Sequence, residues 1–360
     1  MHIPVVVCAW VVKRLLVIVN TFDTLGLAGR FDFGAFSGKE ILITGSSGML
    51  GSYLSHSMIA CAKLQGHKSP KLTLLVRKKA SPNLRGLDLE SSVKVVETEL
   101  LSWRAKQLYD CLIHAASPAS PTKYADSSAV FDSNVTFLKS FDERKIPKKV
   151  LFISSSEVYG PNSPDLIDES FIGNPIPESP RAIYPKSKLE GELVLSEMFE
   201  RGQTQPHIAR LFHTFGPGLR EDDGRSFSDF LWAAAKGDPV ELRSPGEDVR
   251  TFLYLQDAVA AMFHILTQGT PGEVYNVGSE TPLSIREFAE EVGGASGVQV
   301  RVPTQVSPNQ DDYKHSPNRS IVPSTKKLRG LGWSEVVPLE DGIKNTLEWM
   351  KGVLKLDYWG

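Results

Sequence analysis

The stretch that decides the fold of this chain is Thr44-Gly45-Ser46-Ser47-Gly48-Met49-Leu50-Gly51. An apolar run at 41–43 precedes it and predicts a buried strand, and an amphipathic stretch at 52–64 follows it and predicts a helix. Glycines let the backbone turn tightly and approach a phosphate, and a helix N-terminus presents free N–H groups and a partial positive charge. Alone, this hexad is as consistent with a plain turn; between a strand and a helix it predicts a site for a dinucleotide pyrophosphate.

A second segment, Tyr184-Pro185-Lys186-Ser187-Lys188, places a phenol four residues before an ammonium. On a helix these two side chains share a face. A lysine held near a tyrosine is expected to lower the pKa of the phenol and make it a usable base near neutral pH. Such pairs are common on solvated helix faces, so the prediction rests on the combination: a nucleotide site with a Tyr/Lys pair indicates alcohol–ketone chemistry with a nicotinamide.

The third signal is the run 151–160, in which an apolar strand leads directly into three hydroxyls and a carboxylate, Ser154, Ser155, Ser156 and Glu157. Open α/β sheets bind ligands at the carboxyl ends of their strands. A hydroxyl there is expected to share a substrate hydroxyl with the tyrosine, and Glu157 to handle a second proton. The alternative is a serine-rich turn that caps a helix with Glu157 as capping partner; the position about thirty residues before the tyrosine favours the site.

Composition sets the broad class. The chain has 360 residues, 41% of them apolar, and a net charge of -2, so nucleic acid is not an expected partner. Three scattered cysteines, without CxxC spacing, suggest no metal site or disulfide framework and fit a reducing, cytoplasmic location. Apolar runs at 3–12 and 15–19 flank Lys13-Arg14, the wrong order for a signal peptide. We interpret residues 1–37 as an N-terminal extension, with a membrane anchor as the less favoured alternative.

Short apolar runs predict strands at 41–44, 72–76, 93–96, 111–114, 150–154 and 207–210, with helix-length amphipathic segments between them. This alternation predicts an α/β Rossmann fold, a doubly wound parallel sheet. Helical patterns at 226–236, 257–266 and 284–292 and an extended run at 240–242 predict a smaller C-terminal α/β substrate lobe. The expected division is 38–215 for the dinucleotide-binding domain and 216–360 for the substrate lobe, partly interleaved.

The order Thr-Gly-x-x-Gly-x-x-Gly, Ser-Ser-Ser-Glu-Val-Tyr-Gly and Tyr-x-x-x-Lys resembles the extended short-chain dehydrogenase/reductase family, the NAD-dependent epimerases and dehydratases that modify nucleotide sugars, over residues 38–350. The resemblance implies a catalytic set of Tyr184, Lys188, Ser155, Ser156 and Glu157. It implies that NAD contacts Gly45, Ser46, Ser47, Gly48, Met49, Leu50, Gly51, Arg77, Glu99, Ala115, Ala116, Ser117, Asn134, Tyr184 and Lys188. For the nucleotide-sugar substrate it implies contacts from His213, Arg225, Arg250 and Arg319.

Within that family, the segments at 114–121, 154–160, 180–182 and 223–225 are similar to those of UDP-glucuronate decarboxylases. Many 4,6-dehydratases carry an aspartic acid where this chain has Ser156, because they protonate a departing C6 hydroxyl; decarboxylation needs no such acid. The implied activity is therefore transient C4 oxidation by bound NAD followed by loss of carbon dioxide. A 4,6-dehydratase or a 4-epimerase remains an alternative, as does a non-catalytic sugar-nucleotide-binding protein.

Two departures bear on the cofactor and the assembly. Strand 72–76 is followed by Arg77-Lys78-Lys79, where NAD-specific members usually carry an acidic residue, so NADP remains possible although NAD is expected. Glu99 is the candidate for the adenine-side contact. Members of the family commonly pair two helices across a dimer interface, so the resemblance implies a homodimer.

Overall fold

Repeated β–α units build a single parallel sheet in this protein, and its computed structural model describes residues 25–79, 81–118, 127–161, 163–174, 176–303 and 320–355. The seven strands run in the order β12-β7-β5-β4-β1-β2-β3, and every neighbouring pair is parallel. Their bounds are Glu40–Thr44 (β1), Lys71–Val76 (β2), Val93–Glu97 (β3), Cys111–His114 (β4), Lys149–Ser155 (β5), Gln205–Leu211 (β7) and Val274–Val277 (β12). The predicted fold class and all six predicted strands are confirmed.

The strand order reverses between β1 and β4, so the ends of these two strands flank the crevice where doubly wound sheets bind ligands. The seventh strand, Val274–Val277, comes from beyond residue 216 and pairs with β7 at the sheet edge. The two halves of the chain are therefore interleaved in the sheet, and the boundary near residue 215 stays a prediction.

Helices cover both faces of the sheet. Their bounds are Leu25–Ala28 (α1), Met49–Leu64 (α2), Ser127–Phe131 (α3), Phe137–Lys139 (α4), Ile183–Glu200 (α5), Ser226–Lys236 (α6), Leu255–Gln268 (α7), Ile285–Ser296 (α8), Lys326–Arg329 (α9) and Leu339–Lys355 (α10), with a π-helical turn, Asp132–Thr136, between α3 and α4. Single 3₁₀ turns lie at Phe33–Phe36, Pro82–Leu84, Leu87–Leu89, Leu100–Ser102, Glu143–Lys145, Ser156–Tyr159, Pro180–Ala182 and Glu221–Asp223. Because α2 follows the glycine-rich turn directly, its N-terminus faces the crevice.

A second, smaller core lies in the C-terminal half. Helices α6, α8 and α10 pack around stacked Phe252 and Phe288, whose ring centroids are 4.0 Å apart. Short strand pairs connect this part to the sheet: Thr214–Phe215 (β8) with Leu253–Tyr254 (β11), Val240–Glu241 (β9) with Val300–Arg301 (β14), Val249–Arg250 (β10) with Leu283–Ser284 (β13), and Leu166–Ile167 (β6) with Val322–Pro323 (β15). A compact α/β unit therefore stands beside the crevice, as the sequence predicts.

The segment before β1 is attached to the body of the protein. Phe31, Phe33 and Phe36 surround Phe263 of α7, and the Arg30 guanidinium binds the buried carboxylate of Asp257 at 2.5 Å. Residues 1–24, which carry the apolar runs considered as an anchor, lie outside the described residues. Within the described ranges, the longest helices lack the apolar length that a bilayer crossing requires.

Candidate active site

The glycine-rich turn closes tightly against the end of strand β4. Gly45 has a φ of +67°, and a Cβ atom there would lie 2.6 Å from the carbonyl carbon and oxygen of Ala115. A Cβ atom on Gly51 would collide with the carbonyl oxygen of Gly45. Both positions therefore require glycine, because no side chain fits between the turn and its neighbours.

The start of helix α2 fits a phosphate. Gly48 is the N-cap of the helix and has no side chain that could bind the amides of the first turn. The helical hydrogen bonds begin with the amide of Ser52, which donates to the carbonyl of Gly48 at 3.0 Å. The amides of the preceding residues, Met49, Leu50 and Gly51, belong to the turn whose N–H groups have no intrahelical acceptor. These half-buried amides and the helix dipole suit the pyrophosphate of NAD, and Ser46 holds the turn by donating to the carbonyl of Ile43 at 2.7 Å.

The opposite wall of the crevice is held by a buried histidine. His114 Nε2 lies 2.7 Å from the carbonyl oxygen of Ser133, which can only accept, so Nε2 carries the proton and Nδ1 accepts from the Thr44 hydroxyl, also at 2.7 Å. The same hydroxyl accepts from the amide of Ala116 at 3.2 Å. Burial, with a smaller contribution from the charge of Lys188, lowers the pKa of His114 to about 3. The neutral ring therefore fixes the 115–117 segment predicted to run along the cofactor.

Asn134 connects this wall to the helix that carries the tyrosine. It lies in the π-helical turn, and its Nδ2 donates to the hydroxyl of Ser117 at 3.1 Å and to the hydroxyl of Ser187 at 2.9 Å. Ser187 in turn donates to the carbonyl of Tyr184 at 2.8 Å. The predicted cofactor residue thus acts in the structure as a link between the crevice wall and helix α5.

The predicted catalytic groups come together at the end of strand β5. The Ser155 side chain lies next to Tyr184 and acts to lower the pKa of the phenol. Lys188 extends along the same face of helix α5, where its Nζ donates to the carbonyl of Ile153 at 2.7 Å and lies 5.9 Å from the centroid of the tyrosine ring. A phenol, a hydroxyl and an ammonium therefore converge beside the crevice, which is the arrangement that transfer of a sugar hydroxyl proton requires.

The expected lowering of the tyrosine pKa is wrong for this structure. Burial raises the pKa of Tyr184 to about 12, the charge of Glu157 adds to the increase, and the Ser155 hydrogen bond opposes it only in part. Burial also lowers the pKa of Lys188 to about 7. The physical reason is desolvation, which disfavours the charged form of each group, phenolate and ammonium alike. The motif shows that the two side chains share a face, but burial of both depends on the tertiary structure.

Glu157 is held by an arginine that precedes the tyrosine. Arg181 binds its carboxylate through two nitrogens, Nε at 3.2 Å and Nη2 at 2.8 Å, and both side chains are largely buried. Ser155 also accepts from the amide of Glu157, so the capping role considered as an alternative is present, but it involves the backbone of Glu157 while its side chain faces the site. Ser156, which lies between Ser155 and Glu157 in the chain, is buried.

Three of the predicted substrate-contacting residues lie together next to this pair. His213 packs against Phe227 and Phe252, and its Nδ1 is buried without a partner among the described residues. Burial, together with the charges of Arg250, Arg225 and Arg181, holds the pKa of His213 well below its usual range, so the ring is neutral. A neutral imidazole under a cluster of guanidinium groups suits the oxygens of a diphosphate.

The remaining predicted residues are more dispersed. Arg77 and Glu99 are exposed just after the ends of β2 and β3. Arg319 lies outside the described residues. Roles for these three residues stay predictions.

Sequence reasoning missed two functional candidates, Arg181 and Glu192. Arg181 lies in the segment 180–182 that is similar to UDP-glucuronate decarboxylases. Its pairing with Glu157 spans 24 residues, so no local pattern predicts it. Glu192 lies four residues after Lys188 on helix α5, a spacing that could have indicated a shared face, and it forms a buried pair with Arg210.

Comparisons with known proteins agree with this geometry. The model of the family described as "NAD dependent epimerase/dehydratase family" matches residues 41–278. UDP-glucuronic acid decarboxylase 1 of Xenopus tropicalis is 28% identical over 326 residues, which cover 88% of this chain and 73% of the relative. The dTDP-D-glucose 4,6-dehydratase of Mus musculus is 25% identical over 339 residues, 88% of this chain and 90% of the relative.

Solved structures show the same fold. A UDP-glucuronic acid 4-epimerase variant of Bacillus cereus, in complex with a UDP sugar and NAD, is 22% identical with a TM-score of 0.71, covering 87% of this chain and 99% of that one. The UDP-N-acetylglucosamine 4-epimerase of Methanobrevibacter ruminantium has a TM-score of 0.73 at 21% identity, covering 88% and 99%. Since the family model spans well over half of the residues and the NAD-type crevice is present, the chain belongs to the NAD-dependent epimerase/dehydratase family.

Proposed function

We propose that this protein is an NAD-dependent nucleotide-sugar decarboxylase that acts on UDP-glucuronate through transient oxidation at C4. One observation carries the proposal: Tyr184 and Ser155 lie near a part-buried guanidinium, that of Arg181, which binds the Glu157 carboxylate at two points. The first feature suits proton removal from a sugar hydroxyl, and the second suits a substrate with a carboxylate.

NAD fits the turn 45–51, the 115–117 wall and the Tyr184–Lys188 face. When bound, it supplies the hydride acceptor at the start of the cycle and the hydride donor at its end. The protein supplies the proton chemistry: Tyr184, with Ser155 beside it, takes the proton of the C4 hydroxyl. Because burial raises the phenol pKa, the positive charges of Lys188 and of the oxidised nicotinamide are needed to favour the phenolate.

The C4 ketone makes the C6 carboxylate a β-keto acid. The C5–C6 bond breaks, its electron pair forms an enolate on C5 and the C4 oxygen, and carbon dioxide leaves. A proton returns to C5, C4 is reduced, and Tyr184 returns its proton to the C4 oxygen. One proton is consumed and a UDP-pentose is released, so no acid is needed for a leaving hydroxyl, and Ser156 suffices where dehydratases use an aspartic acid.

Arg181 supports the choice of a carboxylate substrate. Its guanidinium is largely buried and binds the Glu157 carboxylate at two points, and the same planar geometry would suit a substrate carboxylate that takes the place of Glu157. His213, Arg225 and Arg250 then form the neighbouring site for the diphosphate. Both groups of contacts lie within reach of Tyr184, whose pKa is influenced by the charges of Arg225 and Arg181.

The test is incubation with a panel of nucleotide sugars, including UDP-glucuronate, UDP-glucose and dTDP-glucose, followed by mass spectrometry. Loss of carbon dioxide from UDP-glucuronate supports the proposal. Loss of water identifies a 4,6-dehydratase, as in the mouse relative, and an isomer of unchanged mass identifies a 4-epimerase. A protein that binds the nucleotide sugar but converts none of them, and whose binding survives Tyr184→Phe, is the non-catalytic alternative.

Arg181→Met tests the carboxylate contact. Loss of a charge-assisted hydrogen-bonded pair is expected to reduce kcat/KM for UDP-glucuronate by about 10- to 100-fold. Arg201→Met, an exposed arginine that follows helix α5 and pairs with Glu197, is the control and should leave kcat/KM unchanged. Equal activity of Arg181→Met and the wild type would remove the support that this side chain gives.

We also propose a homodimer formed through helices α3 and α5. Leu193 of α5 is 59% exposed and Phe131 of α3 is 39% exposed, and both are large apolar side chains on helices that pack against one another. Light scattering after size-exclusion chromatography should give a dimer for the wild type and a monomer for Leu193→Glu. A monomeric wild type would refute the proposal.

The cytoplasm is the proposed location, supported by the buried free thiols of Cys61 and Cys111. Cell fractionation tests it.

The exposed Arg77 just after the end of β2 is compatible with a 2′-phosphate, so the choice between NAD and NADP has its own test. Denaturing the purified protein and identifying the released dinucleotide distinguishes the two cofactors.

A further inference from the structure

A row of polar side chains crosses three strands beneath the helix that carries the tyrosine. Ser154, Arg210 and Asn276 are direct neighbours in the registers of β5, β7 and β12, so their side chains point to one face of the sheet. Glu192 of helix α5 meets this row from above. Its Oε1 accepts from the Ser154 hydroxyl at 2.5 Å, and Arg210 donates to both carboxylate oxygens at 3.1 and 2.7 Å.

The same helix touches the same strand one residue earlier. Lys188 Nζ donates to the carbonyl of Ile153, and Glu192 accepts from the next residue, Ser154. Tyr184, Lys188 and Glu192 are spaced four residues apart and share one helix face. Two consecutive contacts, one turn apart on the helix and one residue apart on the strand, set the register of helix α5 on β5. Ser155, which lies beside Tyr184, is the next residue along that strand.

Arg210 is fixed on its other side. Its guanidinium carbon lies 4.7 Å from the centroid of the Tyr159 ring, and the Tyr159 hydroxyl donates to Asn276 Oδ1 at 2.7 Å. Side chains of Glu192 and Arg210 are only 9% and 10% exposed. The Glu192 carboxylate is therefore held in one position by the Arg210 guanidinium, which is itself held by Tyr159.

We propose that Glu192 is a positioning residue: clamped by Ser154 and Arg210, it seats helix α5 on strand β5 and holds the Lys188 ammonium in place behind Tyr184. The inference rests on the proposed function, in which Lys188 supports the Tyr184 base. Neither the Tyr-x-x-x-Lys motif nor the serine-rich strand end assigns a role to Glu192.

The charge of Glu192 has a second consequence. Burial lowers the pKa of Lys188, and the Glu192 carboxylate opposes that decrease. The other titratable groups around Lys188 are Tyr184 on its own helix, His114 on β4, which is neutral, and Arg210 on β7 behind the carboxylate. Removal of the Glu192 charge should thus leave Lys188 neutral over more of the working pH range.

The experiment compares Glu192→Gln with the double variant Glu192→Gln/Arg210→Met. The single variant leaves a buried guanidinium without its partner and could unfold for that reason alone, whereas the double variant removes both charges together. Glu190→Gln is the matched control, because it removes an exposed carboxylate two residues away on the same helix. Circular dichroism establishes that each variant is folded.

The first readout is the NMR titration of Lys188 in protein labelled with ¹³C at the lysine ε-carbons. The Lys188 resonance is identified as the one that is missing from the spectrum of the Lys188→Met variant. Its midpoint should fall by about 0.5 to 1 pH unit in the double variant, because the charge of Glu192 acts on Lys188 more strongly than that of Arg210, which lies behind the carboxylate. The control should match the wild type. This measurement needs no substrate, so it tests the inference independently of turnover. If no nucleotide sugar is turned over, that result counts against the proposed function alone.

The second readout is the pH profile of turnover. In the double variant, kcat should fall by roughly 10- to 100-fold with KM nearly constant, and the alkaline limb of kcat should move to lower pH. A folded double variant whose Lys188 midpoint and kcat profile coincide with those of the wild type overturns the inference and leaves Glu192 a purely structural residue.

Discussion

The buried ammonium of Lys188 should make the stability of this protein depend on pH in a characteristic direction. Burial lowers the pKa of Lys188 from 10.5 to about 7. Each pKa unit corresponds to about 1.4 kcal/mol, so the protonated lysine destabilises the folded state by about 5 kcal/mol at pH values below 7. Between the two pKa values the unfolded chain binds the proton and the folded protein does not. The free energy of unfolding therefore rises with pH across this window.

The perturbation is Lys188→Met, which keeps a long unbranched side chain and removes the charge. Integrated from pH 6 to pH 9, the titration of Lys188 should increase the unfolding free energy of the wild type relative to the variant by about 2.5 kcal/mol. At pH 6 the variant should be the more stable of the two, unless the lost hydrogen bond to the Ile153 carbonyl offsets the gain. The slope with pH does not depend on that offset.

Urea unfolding followed by far-ultraviolet circular dichroism at pH 6, 7, 8 and 9 measures this difference. The comparison between wild type and variant cancels the titration of all other groups. Lys186→Met, an exposed lysine two residues earlier on the same helix, should show no pH-dependent difference. Parallel stability curves for the wild type and Lys188→Met would refute the reasoning, because they would mean that Lys188 keeps an ordinary pKa when folded.

Two further predictions follow from the packing. Gly45→Ala should weaken NAD binding by at least about tenfold in calorimetry, because the new Cβ atom would clash with the backbone of Ala115 at a φ of +67°; Gly66→Ala, at a φ of +73° with no atom within 4 Å, should leave binding unchanged. Asp257→Asn should lower the unfolding free energy by about 3 kcal/mol, because the buried carboxylate accepts from an arginine and two backbone amides. Asp341→Asn, at an exposed site on α10, should change it little, and equal losses for the two variants would contradict the prediction.

The parallel sheet was predictable because its central strands are buried on both faces. Such strands are continuous apolar runs, as in the segments that became β1 and β2, and they can be identified without knowledge of their neighbours. The seventh strand, Val274–Val277, was not assigned to the sheet, since four residues containing an asparagine carry little periodic signal. Only pairing with β7 shows that it is part of the sheet.

In the site, motif spacing predicted that Ser155, Tyr184 and Lys188 lie close together, because strand ends and helix faces follow from local geometry. The pKa values did not follow, since desolvation depends on what packs around a group. The Arg181 and Glu192 partners were likewise hidden, because their ion pairs join residues 18 to 24 positions apart on different elements.

By itself, the sequence determined the α/β alternation, the glycine-rich turn and the spacing of the candidate reacting side chains. These features are local: they depend on apolar periodicity, on glycine at a positive φ and on spacing along one helix. Tertiary structure alone decided the charge state of the lysine and tyrosine, the orientation of Arg181 and the clamp at Glu192. Those properties depend on which distant groups exclude water from a side chain or neutralise its charge, and no window of sequence contains that information.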